Sequence, residues 1–200
     1  MPVEREGAMS RRAVVAAALA VAALVAAGLF VELGRSGGSS DSVPTAVPSQ
    51  LPGELTGPAP WPRNRTRLGE RLAALGLPAL GFEGTALHIH EHLDVFADGK
   101  RVVVPAGIGI DPAGRFISPL HTHDTSGVVH VESPTVRPFT VGEFFGVWGV
   151  PLRRARVFVD GRPVSGDPSR LILRPHQEIA VAFGRLPRRV PAGYRFAPGL

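Results

Sequence analysis

Cysteine is absent from all 200 residues, so neither a disulfide nor a thiolate metal site is open to this chain. Methionine occurs only as Met1 and Met9, which removes a thioether site for cuprous copper, and the missing thiolate removes a blue-copper centre. Any metal must be held by nitrogen and oxygen. Lysine occurs once, at Lys100, so the net charge of +5 is carried almost wholly by arginine. Arg153, Arg154 and Arg156, then Arg185, Arg188 and Arg189, form two small clusters without the interleaved aromatic rings on which nucleic-acid bases stack. Nucleic acid is therefore not an expected partner.

A 44% hydrophobic fraction against 20% charged residues is ordinary for a chain that folds. Residues 1–12 form a basic n-region that ends in Arg11 and Arg12, and an apolar run from Ala13 to Val31 follows. That run suits the ~20 residues of a spanning helix better than the ~7–15 of a signal-peptide core. The expectation is a single-pass membrane anchor with the C-terminal domain outside the cytoplasm; a cleaved signal, leaving a secreted protein, is the alternative. Residues 34–62 are rich in Gly, Ser and Pro and read as an extended tether, which leaves residues 63–200 as the extracytoplasmic domain.

Within the domain, Leu68, Leu72 and Leu75 fall near helical spacing and are stopped by Gly76 and Pro78, which predicts a short amphipathic helix. From Thr85 the period becomes two. "LHIHEHLDVF" and "RVVVPAGIGI" flank Asp98-Gly99, a pair that favours a type I′ hairpin. That turn sets Ala97 opposite Lys100 and Val95 opposite Val102, and continued pairing would set Leu93 opposite Val104 and His92 opposite Pro105. A second hairpin, "LHTHDTSGVVHVES", places His121 opposite His130 if Asp124 to Gly127 form an even-length loop. Thr140 and Glu143 have capping-box spacing ahead of a short buried helix, and "VFVDGRPV" is a third hairpin around Asp160-Gly161. The expected fold is mainly β or α+β: a small antiparallel sheet or barrel-like domain with one or two short helices. The order strand, capped helix, hairpin, strand over residues 128–184 resembles that of β-grasp sulfur carriers, but the chain ends "YRFAPGL" instead of in their Gly-Gly tail, so their activity is not implied.

Six of the seven histidines lie between positions 88 and 130, on two segments that both read as strands. Side chains at alternate positions of a strand share a face at roughly 6.5–7 Å spacing, so one ion bridges two of them readily and needs a third ligand from a neighbouring strand. His88, His90 and His92, with His121, His123 and His130, are the candidate ligands. Parity puts Asp94 on the face of His92 and Glu132 on that of His130, and Asp124 sits in the loop beside them; these three carboxylates are candidate ligands or acceptors for an imidazole N–H. Glu91 points to the other face. His176, alone in "RPHQE", reads as an ordinary structural histidine. Imidazole with carboxylate and no thiolate suits a divalent ion, and outside the cytoplasmic membrane copper(II) or zinc is expected.

"LHTHDTSG" is similar to the opening motif of polymerase-and-histidinol-phosphatase-type hydrolases and to a metallo-β-lactamase loop, but Thr125 and Ser126 stand where the latter needs Asp-His, and the former needs a barrel of alternating strands and helices. Cupins also place His-x-His on a strand, but their glutamate and glycine spacing is missing. "HIHEHLDVFADGK", "LHTHDTSGVVHVESP", "GEFFGVWG" and "PAGYRFAPGL" together resemble a group of exported or membrane-anchored prokaryotic proteins over residues 66–200. That resemblance implies one domain and no particular chemistry. The functional expectation is a tethered metal-binding module; a metalloenzyme with a three-histidine site and a pH-sensing interaction domain are the alternatives.

Overall fold

The computed structural model describes residues 46–200. The expected n-region at 1–12, the apolar run at 13–31 and the tether as far as residue 45 lie outside the described residues. Among the described residues no helix is long and apolar enough to cross a membrane.

Helix α1 (Leu68–Leu75) precedes strands β1 (Leu87–Ala97), β2 (Lys100–Val102), β3 (Leu120–His121) and β4 (Val128–Ser133). Helix α2 (Val141–Trp148) follows, and then β5 (Arg156–Val159), β6 (Arg162–Pro163) and β7 (Glu178–Phe183). The strands make one sheet in the order β3-β4-β1-β7-β5-β6, with β2 also paired to β1. It is an α+β arrangement whose sheet is open instead of barrel-like. It is also mixed instead of wholly antiparallel, because β1 and β7 run parallel from His92↔Glu178 to Ala97↔Phe183. Parallel neighbours need a long crossover, and everything between residues 98 and 177 supplies it. The β-grasp order expected over 128–184 is completed from outside that stretch: β1 lies between β4 and β7.

Local signals placed most elements. Asp98 and Gly99 have φ of 49° and 81°, and the hairpin they close pairs Ala97 with Lys100 and Val95 with Val102. The expected continuation to Val104 and Pro105 does not form. Strand β2 ends at Val102, and β1 changes partner, pairing His92 with Val128 of β4. Gly127 makes the exchange: its carbonyl accepts from the Leu93 N–H at 2.9 Å, and a Cβ there would lie 2.7 Å from the Leu93 carbonyl oxygen. The third hairpin pairs Val159 with Arg162 around Asp160-Gly161 as expected.

Helix α2 begins with the capping box read from the sequence: Thr140 Oγ1 accepts from the Glu143 N–H at 3.2 Å, and Glu143 Oε2 accepts from the Thr140 N–H at 2.7 Å. Thr140→Ala is expected to cost about 1 kcal/mol, read as a lower urea midpoint with an unchanged m-value. The helix buries Phe144, Phe145 and Trp148 against the inner face of the sheet, where Leu93, Val95, Val129, Val131, Ile179 and Val181 form the main core.

The tether boundary at residue 62 is corrected by packing. Leu51 is buried in the main core, Leu55 and Trp61 pack against it, and Trp148 Nε1 donates to the Pro62 carbonyl at 3.0 Å. A Pro-rich stretch with a few large apolar side chains thus covers the core instead of hanging free. Arg71, fully buried, ties it down by donating to the carbonyls of Asn64, Pro52, Thr66 and Val147.

Candidate metal centre

Strand alternation puts His88, His90, His92 and Asp94 on the sheet face opposite the main core. The ladders then bring three imidazoles side by side: His121 of β3 pairs with His130 of β4, and His130 pairs with His90 of β1. The register expected from an even loop is the one observed. His88 and His123 extend the row at its two ends. The Nε2 atoms of His88 and His90 are 3.1 Å apart, as are those of His121 and His123. Two nitrogens bound to one tetrahedral ion at ordinary bond lengths stand about 3.3 Å apart, so both pairs already have ligand spacing.

Glu132 reaches the middle of the row. Its Oε1 lies 3.1 Å from His130 Nδ1, 3.2 Å from His88 Nε2 and 3.9 Å from His121 Nε2. A second carboxylate, Glu83, which sequence reasoning did not single out, lies 3.4 Å from His123 Nε2 and 4.0 Å from His121 Nε2. It arrives from the loop before β1. The next residue explains how: a Cβ on Gly84 would stand 2.2 Å from the Ser133 carbonyl carbon, so only glycine lets this loop press on the end of β4. Two four-residue groups result, His88, His90, His130 and Glu132, and His121, His123, His130 and Glu132, each with its ligand atoms within 4.8 Å of one another. Histidine and acid groups this close together could hold a metal ion.

Outer hydrogen bonds orient the rings. His121 Nδ1 lies 3.0 Å from the Ser118 carbonyl, which can only accept, so the proton sits on Nδ1 and Nε2 keeps its lone pair for a ligand. Burial lowers the His121 pKa to about 3, with the neighbouring His123 and His130 adding to the fall, and burial lowers that of His130 to about 4. His90 is lowered by burial and then by His88, while burial and the nearby Glu83 raise Glu132. These shifts favour the neutral form of His90, His121 and His130, the form that binds metal.

A pH dependence follows for the metal-free protein. Between about pH 3 and the ordinary histidine value of 6.5 the unfolded chain binds more protons at His121 than the folded one. Its contribution to stability is therefore present at neutral pH and lost as pH falls through that window; raised Glu132 acts in the opposite sense above its ordinary value of 4.5. In urea unfolding at pH 7, 5 and 4, the stability of the unaltered protein relative to His121→Asn should fall as pH falls, because the raised Glu91, Glu132 and Glu178 act alike in both.

His92 stands apart from the other five. Its Nδ1 lies 2.7 Å from Glu178 Oε2 and its Nε2 3.0 Å from the Ser126 carbonyl, while the Tyr194 ring stacks on it at 3.7 Å. With Nε2 donating to a carbonyl and a proton on the line to Glu178, the ring has no free lone pair unless that proton leaves. It forms a third group with Asp94 and Glu178, all three buried, and Arg101 pairs with Asp94 at the rim. Glu178 was not picked out from the sequence, because its closeness to His92 depends on the parallel pairing of β1 with β7. Asp124 joins none of these groups: its Oδ1 accepts from the Ser126 N–H at 2.8 Å and closes its own loop. His176 is exposed, with Nε2 3.0 Å from the Leu200 carbonyl oxygen.

No family model, curated protein or solved structure matches this chain.

Proposed function

We propose that this protein is a membrane-tethered, extracytoplasmic binder of copper(II) or zinc. The observation that carries the reading is the two Nε2 pairs at 3.1 Å beside the Glu132 carboxylate, an array of donors already at ligand spacing. With no cysteine in the chain, histidine nitrogen and carboxylate oxygen favour copper(II) and zinc over softer ions. The apolar run from Ala13 to Val31 after Arg11 and Arg12 supports export and anchoring. Solvent access supports exchange with the surroundings: the His88 and His123 side chains are 54% and 44% exposed, whereas His90 and His121 are buried.

The acid-sensing alternative is weakened by the same burial. Protonation of His121 and His130 at about 3 and 4 falls below the pH 5–6 range in which histidine switches work. The test is elemental analysis of the full chain, purified without a histidine tag and dialysed against trace metal. Copper or zinc retained at one equivalent or more, and lost from His90→Ala and His121→Ala together, is the expected result. A metal-free protein after exposure to both ions would sink the reading. A reporter fused after Leu200 and active only outside the cytoplasm checks the location.

A further inference from the structure

Resting on that metal-binding reading, we infer that the histidine row is a dinuclear centre in which Glu132 bridges two ions. Five imidazoles converge, but they fall into two ligand groups that overlap only at His130 and Glu132. The ligand atoms of the two ends do not form a single group within 4.8 Å, and one ion with metal–nitrogen bonds near 2.1 Å spans at most about 4.2 Å between opposite ligands, so each end needs its own ion. Each end instead presents its own Nε2 pair at 3.1 Å, His88 with His90 from β1 and His121 with His123 from β3 and the residues after it.

The carboxylates complete the arrangement. Glu132 is buried, and its Oε1 faces His88 of one group at 3.2 Å and His121 of the other at 3.9 Å, the position a bridging carboxylate occupies. Glu83 stands only beside the second pair, 3.4 Å from His123. Five imidazoles, Glu83 and a Glu132 carboxylate common to both groups supply the donors for two ions. The first ion takes His88, His90, His130 and Glu132; the second takes His121, His123, Glu83 and the same Glu132 carboxylate. The register that sets His121, His130 and His90 abreast is what allows one carboxylate to serve both.

Titration of the full-length, tag-free chain with copper(II), followed by bound-metal analysis and electron paramagnetic resonance, tests this. Two equivalents should bind tightly, with the signal rising over the first and falling over the second as the two spins couple through the shared carboxylate. His88→Ala and His123→Ala each change an exposed ligand of one group, so the fold should tolerate them. Each should bind a single equivalent that keeps its full signal. A plateau at one equivalent in the unaltered protein overturns the dinuclear centre and leaves the metal reading standing. A signal that grows linearly to two equivalents overturns the bridge, and no bound copper removes both proposals.

Discussion

Glu91→Leu should make the protein more stable, by about 3 kcal/mol at pH 7, at ~1.4 kcal/mol per unit of pKa displacement. Glu91 projects from β1 to the face opposite the histidines, beneath α2 and among Leu93, Val129, Phe144, Phe145 and Ile179, and neither carboxylate oxygen has a hydrogen-bond partner among the described residues. Burial raises its pKa to about 9. The folded protein therefore holds a proton there that the unfolded chain has released above about pH 4.5, and stability falls as pH rises from that value through about 9. His90, His121 and His130 are lowered and so stay neutral at pH 7, 8 and 9, and comparison with Glu91→Leu by urea unfolding over that range singles out Glu91. The unaltered protein should lose stability across that range, and Glu91→Leu should be flatter and higher throughout. Glu91→Gln should also be flatter but gain less, because its amide stays unpaired in an apolar site. Equal pH slopes in all three proteins would show that Glu91 is solvated or paired in solution.

The second large effect comes from the metal. Copper(II) or zinc that binds only the folded chain should stabilise it by ~2.7 kcal/mol at a free concentration one hundred times the dissociation constant. For a domain of this size that is a rise in melting temperature of about 5–10 °C. His90→Ala and His121→Ala should each remove about half of the rise, since each takes a buried ligand from one group and leaves the other. His176→Ala, whose ring lies outside all three groups, should keep it whole. Scanning calorimetry of the metal-free and loaded proteins reads this directly. Identical melting temperatures with and without either ion would contradict metal binding at this site.

Much of the architecture was legible along the chain because its signals are local. Asp98-Gly99 and Asp160-Gly161 encode their turns through positive φ, Thr140 and Glu143 encode a helix start through reciprocal hydrogen bonds three residues apart, and alternation assigns His88, His90 and His92 to the face opposite Glu91. The absence of cysteine limits the donors to nitrogen and oxygen before any fold is known. What alternation could not tell is which strand stands beside which. The parallel pairing of β1 with β7 turns His92 to Glu178 and away from the histidine row. The exchange of β2 for β4 along β1 sets His90 against His130 in place of a longer first hairpin. Glu83 joins the site because Gly84 allows its loop to touch β4, and Glu91 is stranded because α2 closes over that part of the sheet. These contacts join residues far apart in sequence. They depend on how loops close and faces pack, so only the assembled sheet decides which histidines share a partner and which carboxylates reach them.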